Sequence, residues 1–262
     1  MRGLLAPQAR ELRQGQSGGI NPTLKGTVHL INGTSRQAYV KLLSPRRLVN
    51  ELVASQLARA LGMLAPISFL VRVDAQDYPS LFAREKVTHP HLLGFGTAAI
   101  SGSPLSKVLS LDNPAQFDLF FKYLKQWQQV CAFDSWIGNE DRHRANIVLD
   151  EKLQVWAIDH DQSLGTDTPY SSLRFDLPRL NRFLRDHGGQ LALRLKHEAA
   201  DVAQDLMKRG GVLDVPGEVA DSHARGFLDS SEVTSLVLYI EQRLAIVDEL
   251  ICEALGIPKL LS

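Results

Sequence analysis

Apolar residues with interspersed polar ones make strand-like runs over residues 26–31 (GTVHLI) and 37–43 (QAYVKLL). These runs predict β-strands, and Asn32-Gly33 between them is a type I′ hairpin signal. Ser44-Pro45 opens the next segment, with Ser at the N-cap and Pro at the first helical position. Leu48, Leu52, Ser55, Leu57 and Leu61 then recur at helical spacing, and Gly62 stops the run. Residues 66–73 (PISFLVRV) and 81–87 (LFAREKV) predict two further strands. The first third is thus expected to be a small antiparallel sheet of four or five strands packed on one helix, preceded at 1–14 by a short helix or loose arm. Residues 88–111 are rich in Gly, Ser and Pro and are expected to connect two lobes. A long amphipathic helix is predicted over 114–137, where Phe117, Phe120, Phe121, Leu124, Trp127, Val130, Phe133 and Trp136 form a broad apolar face. Strand-like runs at 145–149 and 154–158 flank the turn Asp150-Glu151-Lys152 and predict a hairpin. The remainder is mostly helical, clearest over 231–255, where Ser230-Ser231-Glu232 is a capping signature and Gly256 the stop. The expected organisation is a first lobe over 1–88, a connection over 89–111 and a helical lobe over 112–262.

Composition narrows the class. The chain has 262 residues, 44% of them hydrophobic, enough for one large domain or two lobes with packed cores. Lys plus Arg equals Asp plus Glu at 29 each, so no global charge draws the protein to nucleic acid or anionic membrane. Cys131 and Cys252 lie in apolar helical patterns and are expected to be reduced core residues of a cytoplasmic protein. Neither a signal peptide nor a membrane-inserted segment is expected, because no apolar run approaches the ~18 residues a span requires.

Candidate chemistry gathers at the second hairpin. Polar residues crowd its entry, Asn139 to Arg144, and its exit, Asp159 to Gln162. A hairpin brings its ends together, so Asp141, Asn146 and Asp159 should converge. An Asp, an Asn five positions later and a second Asp after the following strand suit phosphoryl transfer. The first can accept a hydroxyl proton, and the Asn amide oxygen and second carboxylate are hard oxygen ligands for Mg²⁺. In the first lobe Lys41 sits in a strand, and Glu51 is the single acid of the following helix. Glu51 either favours the helix dipole or pairs with Lys41 and holds it toward nucleotide phosphates. The glycines of SGGINP (residues 17–22) fit neither G-x-G-x-x-G nor the Walker A pattern. His89 and His91 have no third ligand near them in sequence and are expected to be solvent-exposed.

The order of parts is the order of a kinase: Gly-rich loop, strand lysine, helix glutamate, connection, Asp–Asn turn, hairpin, terminal Asp. Here Arg142 and His143 follow the Asp, whereas in H-R-D-x-x-x-x-N they precede it. The stretch N-E-D-R-H-R-A-N followed by A-I-D-H resembles the HipA-like bacterial Ser/Thr kinases, and is similar to the D-R-x-x-x-N and I-D-N/H motifs of phosphatidylinositol 3/4-kinases. SGGINP, AYVKLL and LVNELVASQLARALGM resemble the HipA-like first lobe. The resemblance implies a two-lobed, protein-kinase-like α+β fold, with ATP and Mg²⁺ as cofactors and a protein as acceptor. It implies that Lys41 binds nucleotide phosphates with Glu51 as partner, and that Gly18 and Gly19 lie in the loop over them. It makes Asp141 the catalytic base, Asn146 and Asp159 the Mg²⁺ ligands, and Glu85 to Val87 the hinge beside adenine. Asp161 stands where many kinases have the Gly of D-F-G, and is a possible second metal ligand. Two alternatives stand beside the protein kinase: a kinase for a lipid or other small molecule, and a nucleotide-binding pseudokinase. The absence of a basic cluster in the sequence tilts the choice toward protein.

Overall fold

Backbone pairing closes the first sheet into a small barrel in the order β1-β2-β3-β5-β4. Its strands are β1 (Gln8–Gln14), β2 (Thr23–His29), β3 (Ser35–Lys41), β4 (Ser68–Asp74) and β5 (His91–Ala98). The structure, a computed structural model, describes residues 8–14, 23–86, 88–108, 120, 125–179 and 181–258. Gly18, Gly19, Val87 and the first part of the helix expected over 114–137 lie outside the described residues.

The β2–β3 hairpin forms, but its turn is not the expected type I′, since Gly33 and not Asn32 takes a positive φ. Its turn holds Gly33 at φ +82°, and the Leu30 N–H donates to the Thr34 carbonyl. Three other expectations are corrected. β1 is a strand rather than a helix or arm: it pairs antiparallel with β2 and meets β4 at Gln8↔Arg72, so sheet ladders supply backbone partners that outweigh a weak local preference. The stretch expected as strand 81–87 is instead the helix α2 (Pro79–Arg84), with Pro at its start. Its adjacent Leu81 and Phe82 both enter the barrel core beside Val28, Val40, Val71 and Val73. A short apolar run does not reveal its own period, and here burial was supplied by a helix. Conversely, β5 lies inside the expected connection. Its glycines suggested a loop, yet a Cβ on Gly96 would come within 2.5 Å of Phe69 and Val71 side-chain atoms. Glycine is there because the barrel interior leaves no room, not because the chain turns.

Helix α1 (Pro45–Ala60) ends as its sequence predicts. Gly62 takes φ +72°, with Met63 N–H to the Ala58 carbonyl and Gly62 N–H to the Arg59 carbonyl, both 2.9 Å, the Schellman pattern. The chain divides into two compact units, residues 1–48 with 66–100 and residues 49–65 with 101–262. Most of α1 therefore groups with the second unit, where Val49, Val53, Leu57 and Leu61 join its core; the helix that packs into the barrel core is α2.

The second unit begins with β6 (Gly102–Pro104) and the short α3 (Leu105–Val108). Helix α4 (Lys125–Ile137) buries Trp127, Phe133 and Trp136 completely. β7 (Ile147–Asp150) and β8 (Val155–Ala157) form the expected hairpin, paired Ile147↔Ala157 to Leu149↔Val155, and β6 adds to β7 as a third strand. The Asp150 carboxylate ties the turn, accepting from the Lys152 and Gln154 N–H groups and from Trp156 Nε1.

The remaining helices are α5 (Arg182–His187), α6 (Leu193–Gly210), α7 (Val215–Asp221), α8 (Ser230–Leu244) and α9 (Val247–Leu255). The single helix expected over 231–255 breaks at Ala245–Ile246, and the cap is Asp229, boxed with Glu232. Apolar residues continue across the break, so their pattern did not disclose it. Both cysteines are buried. Among the described residues no helix is long and apolar enough to cross a membrane.

Candidate active site

The loop from α4 to β7 is built around a buried carboxylate. Asp134 in α4 is fully buried and receives Arg142 Nε at 3.0 Å and Nη2 at 2.9 Å, a two-pronged ion pair. Asn139 Nδ2 and Asn181 Nδ2 each donate to the same carboxylate at 3.1 Å. Burial pushes the Asp134 carboxyl up and the Arg142 guanidinium opposes it. Arg142, itself fully buried, pays for desolvation but is held cationic by Asp134, Asp159 and Glu51.

Arg142 also reaches forward. Its Nη1 donates to the Asn146 carbonyl at 2.9 Å and to the Ile158 carbonyl, and its Nη2 lies 2.9 Å from His160 Nδ1. One side chain thus ties α4, the loop, and both ends of the hairpin. In the sequence Arg142 stands out only as a motif letter in inverted order. The available signal was Asp134, the single acid of α4.

This scaffold presents the predicted residues. Asp141 keeps its side chain about one-third exposed (31%), and its Oδ2 accepts from Gln162 Nε2 at 2.9 Å. His143 Nε2 is 4.0 Å from the same oxygen. Burial pulls the His143 imidazole down, with Asp141 opposing and Arg182 reinforcing. Asn146 is buried, and its Nδ2 donates to the Asp141 carbonyl at 3.3 Å, which leaves Oδ1 to ligate. Asp159 follows β8 in the left-handed region, φ +66°. A non-glycine residue pays for that conformation, although Asp tolerates it better than most.

What holds the segment after Asp159 comes from α1. Glu51, buried, accepts the His160 N–H at 2.9 Å. Asn50 Nδ2 donates to the carbonyls of Asp161 at 3.1 Å and Ser163 at 2.8 Å, and Tyr170 Oη donates to Asn50 Oδ1 at 3.2 Å. Glu51 therefore has a backbone partner that the sequence did not suggest. Asp161 is buried, with its carbonyl in this network. Lys41 is the last residue of β3. Glu85 is the C-cap of α2, so the strand that the hinge assignment assumed is absent there.

Among the described residues no cluster of three or more His, Cys, Asp or Glu is arranged for a metal. The assigned donors are instead one amide oxygen and one carboxylate, and the anchored Asn146 amide fits a hard cation such as Mg²⁺.

A small β unit and a larger, mainly helical unit that carries an Asp–Asn–Asp hairpin define a kinase-like α+β protein. The family model for HipA-like kinase matches residues 34–174, more than half of the chain, and the chain belongs to that family. No curated protein sequence matches it. Among solved structures it is similar to the crystal structure of CtkA, a proinflammatory kinase of Helicobacter pylori. The TM-score is 0.55 at 10% identity, covering 95% of this chain and 98% of that one, a likeness of fold.

Proposed function

We propose that this kinase uses ATP and Mg²⁺ to phosphorylate Ser or Thr hydroxyls of a protein. The observation that carries the proposal is the hairpin entry. There the Asp141 carboxylate is positioned by Gln162, while the Asn146 amide is anchored to the Asp141 carbonyl. Asp141 accepts the proton of the acceptor hydroxyl. The hydroxyl oxygen forms its bond to the γ-phosphorus as the bond from that phosphorus to the β,γ-bridging oxygen breaks, and ADP leaves. A divalent cation held by Asn146 Oδ1 and Asp159 would offset phosphate charge. Arg142 and Glu51 keep the Asn146 and His160 backbone in place, which positioning catalysis requires. Lys41 carries the assignment to the nucleotide phosphates, Gly18 and Gly19 to the loop above them, and Glu85 with Val87 to the adenine side.

The test is incubation of the purified chain with γ-labelled ATP, Mg²⁺ and a protein extract, beside Asp141→Asn. Label on Ser or Thr of protein, or of the chain itself, that the variant fails to produce is the expected result. A folded wild-type chain that labels lipid vesicles alone, or nothing, overturns the proposal.

A further inference from the structure

Helix α4 ends immediately before the loop that carries Asp141, and three separate parts of the chain cap that end. The last four carbonyls of a helix have no partner within it. Each finds one outside. The Asp134 carbonyl accepts the Asn139 N–H at 2.8 Å, around Gly138 at φ +65°, and the Ile137 carbonyl accepts the Leu164 N–H at 2.8 Å. The two carbonyls between them, Ser135 and Trp136, are taken by one side chain of α8, Arg243. Its Nε lies 2.8 Å from the Trp136 oxygen and 3.2 Å from the Ser135 oxygen, and its Nη2 also donates to Ser135. A cation there also complements the negative end of the helix dipole.

Arg243 is fully buried, and every hydrogen bond it makes among the described residues goes to a backbone carbonyl. Its Nη1 reaches the second set, Phe175 at 2.8 Å and Leu177 at 2.9 Å. The Tyr239 ring lies over the guanidinium at 5.5 Å, and Trp136 Nε1 donates to the Ile240 carbonyl at 2.8 Å, so α8 is pinned to α4 at the same level. A core that needed only stability would do as well with a packed apolar residue as with a buried cation. What the guanidinium adds is a fixed distance between the two backbone segments that it joins.

Those two segments hold the catalytic loop from opposite sides. From Trp136 the chain runs to Asn139, whose Oδ1 accepts the Asp141 N–H at 3.2 Å. From Leu177 it runs to Arg179, paired with Glu140 at 3.2 Å, and on to Arg182 and Phe183. The N–H groups of those two donate to the Glu140 and Arg142 carbonyls at 2.9 and 2.8 Å, which bracket Asp141. The joint has no slack at Gly138, where a Cβ would lie 2.7 Å from Tyr239 Oη and 2.9 Å from Arg179 Cδ. None of the hydrogen bonds of Arg243 reaches residues 158–163, which Glu51, Asn50 and Arg142 hold.

Resting on the kinase reading above, we propose that Arg243 is a positioning residue for the base Asp141, acting on the transfer step and not on nucleotide binding. It touches neither Asp141 nor Asp159. Its effect runs through the end of α4 and through residues 175–183.

The experiment follows ADP formation from MgATP with casein as acceptor at saturating nucleotide. Rates are divided by the folded fraction from a melting curve, and calorimetry gives the MgATP Kd. Arg243→Gln, with one amide in place of the fork, should lose at least ~10-fold in kcat per folded molecule and keep Kd within about threefold of wild type. Arg243→Lys keeps the charge and should recover part of the loss. In that variant the Asn139 and Asp141 N–H groups should exchange faster with solvent deuterium, while the His160 N–H keeps its rate. Val219→Ala, a fully buried position of α7, should lower stability and leave kcat per folded molecule unchanged, which separates positioning from general loosening. Should neither Arg243 variant fold, Tyr239→Leu removes the ring over the guanidinium but none of the hydrogen bonds of Arg243, and should show the same split between kcat and Kd in milder form. Wild-type kcat in the folded variants, an equal weakening of MgATP binding, or the same loss in Val219→Ala overturns the inference and leaves the kinase reading standing. A wild-type chain that forms no ADP removes both.

Discussion

Replacing Arg142 with Met tests whether one buried guanidinium sets both stability and positioning at this site. The substitution keeps an unbranched side chain but leaves the Asp134 carboxylate without its cation, although Asn139 and Asn181 still donate to it. Breaking a fully buried ion pair costs about 3–5 kcal/mol. The Asn146 and Ile158 carbonyls also lose a donor, about 1 kcal/mol each if water replaces it poorly. The sum is a large share of the 5–15 kcal/mol, roughly, that holds an ordinary domain together. Arg142→Lys retains charge but not the fork, so it should lose about 2 kcal/mol, chiefly the second prong and one carbonyl contact. The pH dependence identifies the cause. Burial already pushes the Asp134 carboxyl up, with Arg142 the main opposing influence. In Arg142→Met its folded pKa should therefore lie well above the unfolded value. Such a group penalises folding fully above its folded pKa, and the penalty is relieved as pH falls through that value. The stability gap between variant and wild type, from urea unfolding, should therefore narrow from about pH 8 to about pH 5. A gap under about 1 kcal/mol, or one that does not change with pH, would refute the assignment. Turnover of folded Arg142→Lys should still fall by about tenfold or more, since the residue orients the backbone on either side of the hairpin.

Three further outcomes follow from the site. Asp141→Asn should bind nucleotide nearly as wild type while turnover falls by at least ~10²-fold, about 2.7 kcal/mol of barrier; a folded variant with wild-type turnover leaves the reaction without its base. Asp159→Asn should weaken nucleotide binding in the presence of Mg²⁺ and leave Mg²⁺-free binding nearly unchanged, as read by calorimetric titration; equal weakening in both would argue against a metal ligand. Lys41→Ala should lower ATP affinity or turnover, and unchanged values of both would remove its assignment to the phosphates.

The hairpin was legible because everything that defines it is local. Two apolar strand-like runs, a polar turn and fixed spacings place Asp141, Asn146 and Asp159 without knowledge of the rest. The support was not legible, since Asp134, Arg142 and Asn181 meet only after α4 and α5 are packed. Glu51 stands out in the sequence only as the single acid of its helix, and its backbone partner, His160, lies 109 residues away. β5 was hidden for the opposite reason, because glycine signals freedom in sequence and here answers crowding. α2 was hidden because six residues are too few to display a period.

The grouping of α1 with the second unit has a mechanistic consequence. Asn50 and Glu51 are neighbours on one helical turn, and between them they engage the backbone of His160, Asp161 and Ser163. Those contacts begin one residue after Asp159, whose left-handed backbone needs such determination from its surroundings to persist. A rotation or shift of α1 would thus be felt first as a change in the direction of the Asp159 carboxylate. Asp141 is held differently, through Asn139 to its N–H and Gln162 to its carboxylate. Asn50 therefore acts on the Asp159 side through the backbone that follows it, and on Asp141 only indirectly, through the backbone on either side of Gln162. Asn50→Ala tests this separation: it should disturb Mg²⁺-dependent nucleotide binding more than Gln162→Ala does. Gln162→Ala should act mainly on turnover at saturating nucleotide. Similar effects of both variants on both measurements would mean that the segment moves as one piece, and that α1 has no separate hold on the Asp159 carboxylate.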